Sequence, residues 1–566
     1  MAGHKGFRNL PKLERLKRGR PRPGPRPAER GAGRLPRPRP ALPSHVVALA
    51  DFPPQHQGAL RALAEILGPP HPAPPDAPHL FSSPPRGRGR VRGGEDKGEG
   101  AFVVGGAVRD LLLSRRVVED LDITIPSGAL ALAESLADRL GGAFVALDEE
   151  RGAGRIVVKD GEREYQVDVA DFRAPTLEAD LRARDFTVNA IAVPVAPLVR
   201  DGTAGLADPT GGVADLARRR LRLCGPGVLA EDPLRALRGV RLVVELGFTL
   251  DAETRRALRR AAPGLRTVAP ERVREELVRL LGLPCASRGL RELDRLGLLE
   301  TLVPEIAPMK SASQPKPHRF SVWEHSLKTV EAAESLLAGL AALAPYAEEL
   351  AAHVAEPLGD GLTRRHLLKL AALFHDIAKP QTRQVIDGRI RFIGHDLEGA
   401  ALARAIGRRL RLSGRAVDAL ERLVRHHLRP MHLGQVAEIT RRARYRFFRD
   451  LGEEARDLLL LALADAAAVR GDSPIAVWRG PSGRLVADLL SGWREDRTQA
   501  AAPPLVRGGE VMAAFGLPPG PEVGRLLALA REAQDLGVVG TREEALTYLR
   551  RSAVPDGGLD TPAAPH

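Results

Sequence analysis

VVGGAVRDLLL, residues 103–113, and EDLDITI, residues 119–125, form the stretch from which the rest of the chain is read. The first segment has the pattern strand, glycine turn, helix. Gly105 and Gly106 carry no side chain, so their backbone N–H groups can come close to a phosphate. Arg109 and Asp110 follow on the helix. A glycine pair before a helix is by itself more often a plain tight turn. The second segment shifts that balance. Asp120 and Asp122 are two residues apart, and on a strand such positions share a face. Side-by-side carboxylates repel unless a cation lies between them. Magnesium, an oxygen-seeking ion that bridges to substrate phosphates, suits such a pair. A solvent-facing edge strand, with Ile123 and Ile125 turned inward, explains the same spacing equally well.

Working outward, YQVDVADF (165–172) offers a third carboxylate. Alternation puts Tyr165, Val167 and Val169 on one face and Gln166 and Asp168 on the other, which makes Asp168 the candidate and Asp171 the reserve. RARDFTVNAIAV (182–193) brings Arg184 and Asp185 to the start of an apolar segment. In EDPLRALRGVRLVVELGF (231–248), Asp232 can cap a helix and Pro233 suits its first turn. Arg235, Arg238 and Arg241 then make a basic stripe, while Leu234, Leu237, Val240 and Val244 supply core contacts. A capped helix with a solvated face is the plain alternative.

Taken in order, Gly-Gly-x-Val-Arg-Asp, DxD, RDFTxNA and EDPxRxLRxxR resemble the tRNA nucleotidyltransferase (CCA-adding) and bacterial poly(A) polymerase family over roughly residues 100–300. The resemblance implies template-independent addition of nucleotides, CCA or part of it, to the 3′ end of a tRNA or other RNA, from CTP and ATP. It implies that Asp120 and Asp122 hold two Mg²⁺ ions. One would acidify the RNA 3′-hydroxyl and the other would stabilise the departing pyrophosphate. Gly105 and Gly106, with Arg109, match the triphosphate-contacting turn and helix, and Arg184 matches a nucleotide-contacting position. Asp232 and Arg235 match the pair that reads the Watson–Crick edge of the incoming base, a donor–acceptor pattern that suits C and A. Arg238 and Arg241 match further nucleotide and phosphate contacts. The motifs are shared among CCA-adding, A-adding, CC-adding and poly(A)-adding enzymes, so the product stays open.

A second set of polar residues lies downstream. His325 is in SVWEHSLKTVEAAESLL, His375 and Asp376 close HLLKLAALFHDIAKP, and Asp465 lies in LLLLALADAAAV. A carboxylate among so many apolar residues is costly unless it is paired or metal-bound. The region resembles the HD phosphohydrolase superfamily. By that pattern His325, His375, Asp376 and Asp465 are the ligands of a divalent metal, and His395 and His426 bind a second metal or a substrate phosphate. An HD phosphohydrolase whose N-terminal domain merely binds RNA is the rival reading, and an HD fold without activity is the bland one.

Composition sets the frame. At 566 residues the chain is too long for one compact core. Its net charge is +14, and residues 1–40 alone hold thirteen Lys/Arg against two Glu. That points to a polyanionic partner or to a merely solvated tail. The two cysteines, Cys224 and Cys285, give neither a disulfide framework nor a CxxC motif. With no long apolar run and no secretory signal, a soluble, cytoplasmic protein is expected. The expected fold is α+β. A basic tail (1–55) precedes a mixed-sheet catalytic domain (56–224) with a flexible insert (69–100). A helical neck (225–310), a helical HD domain (311–475) and a C-terminal helical region (476–566) follow. In the last, GLPPGPEVGRLL reads as a loop before a helix, a structural turn or a phosphate contact.

Overall fold

The computed structural model describes residues 46–68, 100–115, 120–161, 163–436, 438–499 and 503–553. The first 45 residues of the expected tail and residues 69–99 of the expected insert lie outside the described residues. The tail ends earlier than the sequence suggested. Strand β1 (Val46–Ala48) pairs antiparallel with Thr203–Gly205, and Val47, Leu49 and Phe52 are buried. Three apolar side chains within six residues are enough to dock a short strand that the proline-rich surroundings obscure. A helix follows over Pro54–Leu67, where proline suits the first turn.

The catalytic-domain sheet has six strands: β2 (Phe102–Val104), β3 (Asp120–Ile125), β4 (Ala143–Asp148), β5 (Ala153–Asp160), β6 (Arg163–Asp171) and β7 (Val193–Pro194). Their spatial order is β4-β5-β6-β3-β2-β7. Within this sheet β3 and β6 are the parallel pair; the chain between them forms the Ala129–Leu140 helix, which packs on the sheet, and then β4 and β5. Leu121, Ile123 and Ile125 of β3 and Val167 and Val169 of β6 fill the core beneath that helix. Their alternation leaves Asp120, Asp122 and Asp168 on the opposite face.

The neck helix Arg235–Leu246 buries Leu237, Val240 and Val244 as its periodicity predicts. Gly239 lets it touch the sheet domain: a Cβ there would stand 2.7 Å from Phe186 Cζ. From there to the helix Pro481–Gln499 one continuous apolar core runs through the helical regions. Leu489, Leu490 and Trp493 belong to it, past the expected boundary at residue 476. A separate small core begins at Val506 and unites the last three helices. It is tied to the Arg441–Leu451 helix by Arg442, Arg446 and Arg449 converging on Glu532. Among the described residues no helix is long and apolar enough to cross a membrane.

Candidate functional site

The parallel register of β3 and β6 sets Asp122 directly opposite Asp168 and Asp120 opposite Gln166. Neighbouring strands lie about 4.8 Å apart, so three carboxylates share one small area of the sheet. Burial first, and then the Asp168 charge, push the Asp122 carboxyl up to about 6, and Arg184 pulls against the rise. The glycine turn closes over this cluster. Gly105 has φ +79°, and a Cβ there would stand 2.5 Å from Asp122 Oδ2. Glycine is therefore required both for the backbone conformation and for the close approach. Crowded oxygen donors beneath a glycine turn are what a hard divalent cation carrying phosphate needs, so the residues fit magnesium.

Asp168 is not bare. Arg155, across from it on β5, donates to both its oxygens at 2.7 and 2.8 Å. The sequence reading missed Arg155. Strand alternation alone places it on the carboxylate face once β5 is paired with β6. The reserve, Asp171, serves elsewhere. Its Oδ1 accepts from the Ala129 N–H at 2.8 Å and so anchors the start of the Ala129–Leu140 helix.

The motif arginines are held by acids and carbonyls. Arg109 is buried and forks onto Asp110, with a further bond to Asn189 Oδ1 at 2.8 Å. Asp185 accepts from the Phe186 N–H and from Asn189, and its other oxygen meets Arg238 at 3.3 Å. Arg238 and Arg241 both donate to the buried Glu276. The expected basic stripe is thus largely spent on an internal network that joins sheet domain and neck. Asp232 accepts from Arg272 at 2.7 Å, while Arg235 donates to Val228 O and Glu231. The two therefore stand near each other without pairing. Asp232 also accepts from the Leu234 N–H at 3.2 Å, but the helix starts at Arg235 with Leu234 as its N-cap and no side-chain cap, so the capping expected of Asp232 gives way to a turn two residues earlier. Arg184 is held by the fully buried Asp180, which also accepts the Arg173 N–H. The Arg173 guanidinium lies within electrostatic reach of Arg184 and Arg235; burial, and then those charges, lower its pKa. Positive charge thus gathers beside Asp122, as a triphosphate requires.

The second cluster forms where five helical segments meet. His325 Nε2 lies 3.3 Å from His375 Nε2 and 3.0 Å from Asp465 Oδ1. That Asp465 oxygen is sealed from solvent, and the contact with His325 holds its carboxyl well below the ordinary carboxylate range against the cost of burial. His395 Nε2 and His427 Nε2 form a second facing pair at 3.2 Å. Asp376 lies between them. Its Oδ2 is 3.2 Å from His375, and its Oδ1 is 3.5 and 3.6 Å from His395 and His427. In His375, His395 and His427 the Nδ1 atoms meet backbone carbonyls of Ala372, Phe392 and Val424, which presents each Nε2 as the free ligand atom. Burial and the neighbouring His375 hold His427 down at about 4, a neutral imidazole ready to ligate. Imidazoles and carboxylates at these spacings would fit divalent ions, one at His325, His375 and Asp465 and another at Asp376, His395 and His427.

This corrects one expectation. His427, not His426, joins the cluster, and His426 is turned toward Arg429 and Asp450 at the domain's edge. Helical periodicity shows why: Leu420, Leu423 and Val424 are buried, and residue 427 continues their stripe. The segment 310–318, where the expected neck meets the expected HD domain, also contributes. Gln314 accepts from Lys379, which donates to Asp376 Oδ2 at 2.6 Å, and His318 stacks edge-on against His325.

Residues 101–222 match the poly A polymerase head domain, 247–310 the probable RNA and SrmB- binding site of polymerase A, and 322–468 the HD domain. The chain is 40% identical over 465 residues to an A-adding tRNA nucleotidyltransferase of Deinococcus radiodurans, covering 80% of this chain and 96% of that one. It is also 40% identical over 480 residues to a CC-adding tRNA nucleotidyltransferase of Thermus thermophilus, covering 82% and 97%. A solved CCA-adding enzyme in an apo form shares the fold at TM-score 0.57 and 17% identity, over 91% of this chain and all of that one. With sheet, neck and HD region all matched in order, the chain belongs to the tRNA nucleotidyltransferase family.

Proposed function

We propose that the head and neck add C, A or both, without a template, to the 3′ end of tRNA in the cytoplasm, and that the HD region is a separate metal-dependent phosphohydrolase. The observation that carries the first reading is the register that sets Asp122 against Asp168 beneath Gly105. Asp120 and Asp122 are the residues to hold magnesium, which when bound supplies Lewis-acid activation of the 3′-hydroxyl and shields the phosphate charge. The RNA 3′-oxygen forms a bond to the α-phosphorus in line, the bond to the bridging oxygen breaks, and pyrophosphate leaves.

The protein's own part is positioning. Arg184, fixed by Asp180, holds the triphosphate beside Asp122. Asp168 is paired with Arg155 at 2.7 Å, which fixes its place on the carboxylate face. Arg109 is a brace, coupling the glycine-turn helix to Asn189 and through it to Asp185 and the neck. Asp232 and Arg235 recognise the base: an exocyclic amine of C or A takes the place of Arg272 at the Asp232 carboxylate.

The test is incorporation. The protein, with Mg²⁺ and tRNA transcripts ending before CCA, after C or after CC, receives labelled CTP and ATP singly and together. Addition that stops within CCA supports the reading, and the addition pattern names the product class. Unlimited A tails on any RNA would replace it with poly(A) synthesis.

The second reading rests on Asp376 lying between two imidazole pairs. His325, His375 and Asp465 would hold one divalent ion, and Asp376, His395 and His427 the other. When bound, such a pair supplies an activated water for phosphoester hydrolysis.

A further inference from the structure

The carboxylate face of the sheet continues past its carboxylates. Strand pairing sets Asp122, Asp168, Arg155 and Val145 in one row across β3, β6, β5 and β4. Asp120, Gln166, Val157 and Ala143 make the next row. Paired strands lie about 4.8 Å apart, so Arg155 stands two strands, about 10 Å, from Asp122. Ala143 and Val145 are exposed, and Gln166, Arg155 and Val157 are half-buried, so this half of the face is open. Arg155 donates from Nε and Nη2 to the two Asp168 oxygens, and its Nη1 has no partner among the described residues. On the other side of β3 lies β2, whose glycine turn closes over Asp122. The two sides of the carboxylates thus differ: a backbone turn covers one, and an open strip holding a half-used guanidinium extends from the other.

We propose that this strip is the subsite for the RNA acceptor end: Arg155 Nη1 holds the phosphate between the last two nucleotides, and Val145 and Val157 lie beneath the penultimate nucleoside. The inference rests on the nucleotidyl-transfer reading and deepens it by naming where the acceptor lies. In-line transfer puts the attacking oxygen and the leaving pyrophosphate on opposite sides of the α-phosphorus. The triphosphate is taken at the glycine turn, on the β2 side, so the 3′-hydroxyl has to arrive from the β6 side of Asp122. The terminal nucleoside then lies over β6, at Asp168 and Gln166. Its own 5′-phosphate comes one strand further out, where Arg155 stands. A face rich in carboxylates repels an RNA backbone, and a cation is needed where the first phosphate crosses it. A planar guanidinium can meet a carboxylate along one edge and a phosphate along another, so Asp168 aims Arg155 without using it up.

The experiment is a double-substitution cycle on RNA binding, with the full chain, Mg²⁺ and no nucleotide. The probes are acceptor-stem hairpins ending before CCA, after C or after CC, and the length the native protein binds most tightly is used. Each is made with an ordinary phosphate between its last two nucleotides and with a neutral methylphosphonate there. The native protein should bind the methylphosphonate RNA about tenfold more weakly. Arg155→Ala should bind the ordinary RNA about tenfold more weakly and lose nothing further to the methylphosphonate. A native protein indifferent to the methylphosphonate overturns the subsite. So do losses that add, the result that a merely structural Arg155 would give. Should Arg155→Ala fail to fold, Val145→Glu takes its place, an exposed position from which the new carboxylate claims Nη1 across the strand pair. It should abolish discrimination between the two RNAs, and discrimination that persists overturns the subsite. Incorporation of CTP and ATP by the native protein is measured alongside. Its absence fells the nucleotidyl-transfer reading, while the binding cycle decides the subsite separately.

Discussion

The two clusters solve one problem, gathering charge for a cation, by opposite means. In the sheet domain Asp120, Asp122 and Asp168 are brought together by strand register, and among the described residues Arg155 and Arg184 relieve them. The Asp122 carboxyl is therefore pushed up to about 6. In the HD region Asp376 is more deeply enclosed, yet its pKa lies well below the ordinary carboxylate value, because His375 and Lys379 outweigh the burial. The sheet cluster is an acid in want of a cation. The helical cluster has an internal cation at Asp376 and imidazoles that set their own ligand atoms. Burial alone thus does not fix the direction of a shift; the neighbouring charges do.

The contrast can be broken most sharply at Asp376. It alone touches both histidine pairs, so Asp376→Ala should remove both ions by elemental analysis and lower phosphoester hydrolysis about 10,000-fold, while nucleotide incorporation continues. Retention of one tightly bound ion would mean the halves are independent. The next effect separates adjacent histidines. His427→Ala should lose one bound ion and most hydrolysis, whereas His426→Ala should keep both, and equal metal content in the two variants would refute the assignment.

The electrostatic side of the contrast predicts a pH effect. A carboxyl raised in the folded state stabilises fully below its ordinary value of 3.8, and that contribution is lost as pH rises through about 6. In chelator, the native protein should therefore lose thermal stability across that window relative to Asp122→Asn. Parallel melting curves from pH 4 to 8 would contradict the account. The smallest effect concerns the joint between sheet and neck. Gly239→Ala drives a methyl against Phe186 and should cost about 1–3 kcal/mol in denaturant unfolding, with incorporation falling only as the neck shifts.

How much of this was legible depended on how local each arrangement is. Asp120 and Asp122 are two residues apart, so strand period alone put them on one face, and alternation chose Asp168. Asp171, the reserve, instead anchors the helix at Ala129. Arg155 was missed because its partner is supplied by strand pairing, which the sequence does not state. In the helical cluster the ligands span residues 325 to 465, and no local period joins them. The family pattern supplied His325, His375, Asp376, Asp465 and His395, but in the His-His pair it was read one residue early, although the buried stripe through Leu423 and Val424 pointed to His427. The arginine stripe was visible as a pattern. Its engagement by Glu276, contributed by a different helix, was not. The early strand at Val46 hid in a proline-rich context whose composition suggested disorder.

The central claim is that one chain carries two independent centres, nucleotidyl transfer on the sheet and hydrolysis among the helices. Its most direct test is a single assay of Asp120→Ala plus Asp122→Ala against His375→Ala plus Asp376→Ala, with tRNA incorporation and phosphoester hydrolysis measured on each. The account predicts that the first variant loses incorporation and keeps hydrolysis, and that the second does the reverse. Incorporation that survives loss of Asp120 and Asp122, or falls only when His375 and Asp376 are changed, would contradict it.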